Sequence, residues 1–324
     1  MSVITQSDGR TKENNMSRFP SVFTGELGTF QGDVHLDVDP LITPEQTPLR
    51  KVPLAVKERL EGELKRLEEL GVIVRVSEPT EWVSSIVVTE KKEGQKLRLC
   101  IDPKPLNKAL KSIYPLPTME DVLPQLAKAK VFSVCDLKNG FWHCILDTES
   151  SLLTTFITPY GRYRWTRLPF GVSPAPEVFQ RKLTEQLEGL KGVTMIAEDV
   201  LVFGQGNNYD EAVKDHDAHL LTFLRRAEER GLKINAQKFK YRLEEVSYAG
   251  HVLTHQGLKV DSRKIEALQK MEEPTDVASL RRFLGTANYL GRFVKNLADI
   301  CEPLRQLTKQ EIEWQWAHEQ ATAF

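Results

Sequence analysis

Val131-Phe132-Ser133-Val134-Cys135-Asp136 and Val193-Thr194-Met195-Ile196-Ala197-Glu198-Asp199-Val200-Leu201-Val202-Phe203 are the two stretches on which the fold turns. Each is an apolar, β-prone run, and acids interrupt both. A carboxylate inside such a run avoids burial by standing at a strand end. Asp136 therefore closes one strand. Glu198-Asp199 falls where a two-residue hairpin turn would join Val193–Ala197 to Val200–Phe203. Two readings fit this pattern. Both sites are ordinary turns with acidic residues, or three carboxylates converge from two strands. Converging carboxylates would hold a pair of Mg²⁺ ions about 3.5–4 Å apart, with one ion activating an attacking oxygen and the other supporting the leaving one.

The pattern extends outward on both sides. Residues 1–47 are polar, punctuated by Gly and Pro, and without clear period, so they read as an extension that is loosely ordered or packed on something outside the chain. Pro53 opens a helix with Val56, Leu60, Leu64, Leu67 and Leu70 on one face, and Gly71 stops it. Val72–Val76, Val83–Thr89 and Leu97–Ile101 read as strands, with Lys92-Glu93-Gly94 as a hairpin tip. Phe141–Leu146 reads as a continuation of the β-rich group after Asp136. Pro174 and Pro176 suit the first turn of a helix running to about Leu190. A helix over Ala212–Arg230 ends at Gly231, Val246–Leu253 reads as a strand pair, and the pattern is helical from Ser262 onward. Strands and helices without regular βαβ alternation predict an α+β fold with antiparallel pairing.

The bulk composition narrows the class. The chain has 324 residues and 40% apolar content, enough for a core. No apolar run is long enough to span a bilayer, and the first residues lack the apolar stretch of a secretory signal. Cys100, Cys135, Cys144 and Cys301 show no zinc spacing and read as reduced thiols of an intracellular protein, cytoplasmic or nuclear. The net charge of −1 does not announce a nucleic-acid binder, because phosphate binding runs on Lys and Arg. Arg225-Arg226, Lys238-Phe239-Lys240 and Arg281-Arg282 allow basic residues to gather locally.

Longer motifs carry a family resemblance. Val131 through Trp142 resembles motif A of retrotransposon reverse transcriptases. Ser151–Trp165 and Arg167–Gln180, with Leu168-Pro169-Phe170-Gly171, look like that family's motif B region. Val83–Asn107, with Arg98-Leu99-Cys100-Ile101-Asp102, is similar to its fingers motif. Gly231-Leu232-Lys233-Ile234-Asn235 with Lys238, then Tyr248-Ala249-Gly250-His251, resemble the end of the palm. Leu280-Arg281-Arg282-Phe283-Leu284-Gly285 with Asn288-Tyr289 resembles the thumb of Ty3/gypsy-type long-terminal-repeat elements. The resemblance runs from about residue 20 to the C-terminus.

It implies a right-hand polymerase with fingers, an antiparallel-sheet palm and a helical thumb. The implied divisions are an extension (1–47), fingers and palm (48–255), thumb (256–310) and a truncated start of a ribonuclease H-like region (311–324). The ribonuclease H active site itself lies outside this sequence, so that activity is not expected. The implied catalytic and metal-binding residues are Asp136, Glu198 and Asp199, with two Mg²⁺ ions and Mn²⁺ as the alternative. Lys91, Arg98, Phe141, Phe170, Gly171 and Lys238 match nucleotide-binding positions; Tyr248, Gly250 and His251 match the primer-holding hairpin. By themselves these residues also read as solvated cations, core aromatics, a tight-turn glycine and a structural histidine.

The implied partners are an RNA or DNA template, a DNA primer and deoxynucleoside triphosphates, with no membrane; the oligomeric state is left open. One departure stands out, because the family's catalytic hairpin carries two aspartates and here the first is Glu198. Its extra methylene disturbs an octahedral site, where a displacement of about 1 Å costs on the order of 100-fold. Three functions follow: an RNA-directed DNA polymerase, an impaired or co-opted element fragment that binds nucleic acid, or a structural subunit needing a longer partner chain.

Overall fold

The computed structural model describes residues 11–90, 97–111, 114–260 and 262–324, apart from the side chain of Arg292. Within these, the strands in chain order are β1 (Ile73–Arg75), β2 (Ser85–Glu90), β3 (Leu97–Asp102), β4 (Ala129–Asp136), β5 (Phe156–Thr158), β6 (Gly161–Trp165), β7 (Val193–Ile196), β8 (Asp199–Gln205), β9 (Lys240–Leu243), β10 (Glu245–Tyr248), β11 (His251–Thr254) and β12 (Gly257–Lys259). They form small antiparallel sheets rather than one wound parallel sheet, as the α+β reading requires. The chain divides into two compact units, one up to Ala249 and one over Gly250–Phe324.

In the first unit the central sheet has the order β7-β8-β4-β9. Val131, Phe132, Val134 and Cys135 are buried, as are Val200, Leu201, Val202 and Phe203. Burial of both faces explains why these strands read as near-continuous apolar runs rather than alternating ones. Two helices, Ala175–Leu187 and Tyr209–Glu229, supply Phe179, Leu183, Leu187, Leu220, Phe223 and Leu224 to the core. The hairpin β2–β3 pairs from Ser85↔Asp102 to Glu90↔Leu97, and β1, β6 and β5 form a separate three-stranded sheet. The expected hairpin tip at Lys92-Glu93-Gly94 lies outside the described residues.

Three readings need correction. The described part of the N-terminal extension, from residue 11, packs on the chain itself: Phe19, Val22, Phe30, Val34 and Leu36 are buried in the main core. Its sparse apolar residues have no period because the segment is a strap, held by bonds such as Phe30 N–H to His143 O (2.8 Å) and Ile234 N–H to Val22 O (2.8 Å). Phe141–Leu146 does not continue a strand. Asn139 adopts a left-handed φ of 53° and a 3₁₀ turn follows over Gly140–His143. The apolar run there is core-facing without being extended, an ambiguity that short runs carry. Finally, the β7–β8 turn is Ala197-Glu198, not Glu198-Asp199, because Asp199 already pairs with Ile196 as the first residue of β8.

In the second unit, β11 and β12 form a hairpin, followed by helices over Ser262–Gln269 and Val277–Leu290. Leu280, Phe283, Leu284 and Ala287 pack with Cys301, Leu304 and Leu307. Trp314, Trp316 and Phe324 lie against this cluster.

Candidate active site

The register of the central sheet builds the site. β4 and β8 are antiparallel neighbours, and their last rung pairs Asp136 with Asp199. Glu198 precedes that rung in the turn, and Leu137 N–H donates to its carbonyl (3.0 Å). The three acids of the two deciding stretches are therefore brought together at one sheet end. The hairpin is held tightly. Ala197 has a φ of 52°, a left-handed conformation that glycine normally occupies. The buried Gln180 secures it, with Oε1 accepting from Ala197 N–H (2.8 Å) and Nε2 donating to Met195 O (3.4 Å). Beneath it, the buried Tyr248 hydroxyl donates to Asp199 O (3.3 Å).

Three negative charges in a half-buried corner repel one another. Burial, then Asp136, lift both the Glu198 and Asp199 carboxyls above their ordinary range, while Lys238 opposes the lift. Lys238 Nζ donates to Asp136 Oδ2 at 3.0 Å; the lysine is 64% exposed and the aspartate 19%. A corner of oxygen donors with excess negative charge suits a hard divalent cation. Asp136 and Asp199 fit that role by position and chemistry. Glu198 fits less well, because its side chain folds over Gly140, where an added Cβ would lie 2.8 Å from Glu198 Cγ. Among the described residues, no three acid, His or Cys side chains are gathered at ligand spacing.

The nucleotide-binding expectations gather in part. Arg98 on β3 stacks over the Phe170 ring at 5.3 Å. Phe141 packs on Phe170 (4.9 Å) and Phe179 (5.5 Å). Gly171 has a φ of 108°, and a Cβ there would sit 2.0 Å from Ile101 O. Asn107 clamps the same turn, donating to Gly171 O (2.9 Å) and accepting from Ser173 N–H (2.8 Å). Lys91 lies outside the described residues.

Of the primer-holding expectations, Tyr248 is buried and faces Asp199 rather than solvent. In the second unit, Tyr289 stacks on His251 at 5.3 Å, and its hydroxyl donates to Gly250 O. Gln180, Asn107 and Gly140 carried no expected role. The signal for Gln180 was a polar residue on the apolar face shared by Phe179 and Leu183; the other two had none.

Residues 90–253 match the family described as reverse transcriptase (RNA-dependent DNA polymerase), and the chain belongs to it. The chain is 32% identical to the retrovirus-related Pol polyprotein from transposon 412 of Drosophila melanogaster, over 87% of its own length and 23% of the relative's. It is 31% identical to the corresponding polyprotein from transposon gypsy of the same fly, over 80% and 25%. With the enzymatic polyprotein of Cauliflower mosaic virus the figures are 30%, 87% and 41%. The chain thus spans between about a fifth and two-fifths of the curated relatives it matches.

The solved foamy viral protease-reverse transcriptase in complex with double-stranded DNA superposes with a TM-score of 0.84, at 22% identity, over 96% of this chain and 54% of that one. At that identity the likeness establishes the fold: α+β, with the fingers, antiparallel-sheet palm and thumb of a polymerase. Dependence on divalent metal goes with the family. No described helix is long and apolar enough to cross a membrane.

Proposed function

We propose that this chain is the RNA-directed DNA polymerase core of a retroelement, extending a DNA primer on an RNA or DNA template. The observation that carries the reading is the Asp136↔Asp199 rung, with Lys238 paired to Asp136. The primer 3′-hydroxyl attacks the α-phosphate of a bound deoxynucleoside triphosphate, and pyrophosphate leaves. Asp136 and Asp199 would hold the two Mg²⁺ ions, with Glu198 a compromised third ligand; bound there, the ions would supply charge neutralisation and a more acidic attacking hydroxyl.

The chain's own residues do the positioning. Arg98 offers a forked donor to the triphosphate and Lys238 a point charge. Lys238 must leave Asp136 as phosphate arrives; until then the ion pair offsets part of the corner's negative charge. The Phe141 ring, braced by Phe170 and Phe179, closes the space beside the sugar against a 2′-hydroxyl. Gly171, with no Cβ, lets the Phe170–Gly171 turn approach Ile101 beneath the nucleotide. Gly250 and His251 are assigned to primer holding, with Tyr248 supporting the catalytic hairpin from below.

A second reading, a binding fragment with impaired chemistry, is favoured by the way Glu198 lies across Gly140. Primer extension separates the two. Glu198→Asp removes the methylene, keeps the charge and should extend primers at least about tenfold faster than the parent in Mg²⁺, about 1.4 kcal/mol of barrier. Template affinity should be unchanged. Activity of the parent equal to that of the variant would show that the site accommodates Glu198. Inactivity of both, with Mn²⁺ as with Mg²⁺, would overturn the polymerase reading.

A further inference from the structure

Behind the acidic corner lies a buried polar network that the polymerase chemistry does not use. Ser133 Oγ and His216 Nε2 are 2.8 Å apart, and His216 Nδ1 and Asp217 Oδ1 are 3.0 Å apart. Asp217 also receives the Arg242 guanidinium, from Nε at 3.3 Å and from a second, closer nitrogen. Ser133 and His216 are fully buried. A Ser-His-Asp array invites a hydrolase reading, but no substrate reaches a serine with no exposed surface, and its oxygen already accepts from Arg242 N–H (3.0 Å).

The backbone shows what the array holds. Arg242 has a φ of 52°, left-handed for a residue with a long side chain. It sits where the β4–β9 register slips. Phe132 pairs with Leu243, yet Val134 pairs with Lys240, so Tyr241 and Arg242 together oppose Ser133. This is a bulge: one extra residue on β9. Extending the Phe132↔Leu243 register without it would set Tyr241, not Lys240, opposite Val134. With it, Lys240 meets Val134 and opens β9, and Lys238 stands two residues ahead of the strand, in a turn that Asn235 N–H ties to Asp136 O (2.9 Å), with its Nζ on Asp136 Oδ2 (3.0 Å). The bulge therefore sets where β9 begins against β4, and with it where the turn that carries Lys238 stands relative to Asp136.

We propose that Arg242, clamped by Asp217 and Ser133, is a positioning residue that fixes the β9 bulge and thereby delivers Lys238 to Asp136. The network acts through Lys238 and touches no reacting atom. The left-handed backbone at Arg242 is unfavourable for any residue with a Cβ, and the paired guanidinium offsets that cost. Its value for nucleotide binding rests on the polymerase reading; the register itself does not.

A zero-length carbodiimide, which joins a lysine amine to a carboxylate only when they are in contact, tests the register without polymerisation. Peptide mapping of the full chain should find Lys238 joined to Asp136. Arg242→Ala removes the clamp and keeps the strain, and should lower that yield about fivefold or more; Arg242→Gly removes clamp and strain together, and should retain the yield. A purely structural ion pair would weaken both variants alike, so equal yields in Ala and Gly overturn the proposal, as does absence of the link in the parent. If Arg242→Ala does not fold, Asp217→Asn takes its place, and an undiminished yield there overturns it. A rise in nucleotide KM confined to Arg242→Ala is the further outcome if the chain polymerises. A changed link with no polymerisation by any form would sink the polymerase reading alone.

Discussion

Glu198 is the residue where charge, geometry and history meet. Its carboxyl and that of Asp199 are raised, first by burial and then by Asp136. The folded protein therefore keeps protons on them at pH values where the unfolded chain has released them. Their contribution to stability is fully present below the ordinary carboxylate range and is lost as pH rises through the raised values. Glu198→Gln removes one such group. Its urea midpoint should exceed the parent's at neutral pH, and the gain should vanish as pH falls below the ordinary glutamate range. A gain of the same size at every pH would mean that packing, not charge, is responsible. Buried His143 shows the opposite sign. Burial drives it down to about 4, so it stays neutral, its Nδ1 donating to Gly140 O (3.0 Å) and its Nε2 accepting from Lys233 N–H (3.1 Å).

Among the elements, the turn Phe170–Gly171 joins the β2–β3 hairpin to the long helix Ala175–Leu187. Ile101 N–H donates to Phe170 O (3.2 Å), and Asn107 bonds on both sides of the turn. Gly171 is required there twice over, by its positive φ and by the close approach of Ile101 O. Gly171→Ala should lower stability by about 1–3 kcal/mol for the backbone strain alone, with more for displacing Ile101. Asn107→Ala should cost less, since it breaks hydrogen bonds without forcing backbone apart. Urea unfolding of the two variants checks the order; an Ala at 171 as stable as the parent would show that the turn can open freely.

At the level of the whole molecule, the N-terminal strap belongs to the first unit's core. Gly28 lies so close to His143 that a Cβ would overlap the ring, and Arg167 donates to Gly28 O (2.7 Å) from the other side. Five of the strap's side chains, Phe19, Val22, Phe30, Val34 and Leu36, are buried. At about 1.5–3 kcal/mol each, their burial is worth roughly 7–15 kcal/mol, which is the size of a domain's entire net stability. A chain starting at residue 48 should therefore lose cooperative unfolding, measured by circular dichroism against denaturant. A sharp transition in that truncated chain would show that the strap only decorates the fold.

The sequence by itself determined the class of the fold and the identity of the acids. Apolar runs ending in Asp136 and before Asp199 encode strands buried on both faces, and the motifs from Val83 to Tyr289 carry the family. It also exposed the exchange at Glu198, since a residue's chemistry is written in its name. What only the tertiary structure decided is register and long-range packing. The shift of the hairpin turn to Ala197-Glu198 depends on which residue of β8 meets Ile196 and Asp136. The bulge at Arg242 depends on partners on β4 and on the helix Tyr209–Glu229. The strap's core residues have no period because each one meets a different part of the palm. Local propensity is a property of neighbours along the chain, whereas register and such contacts are set by residues up to a hundred or more positions away. No pattern along one strand records them.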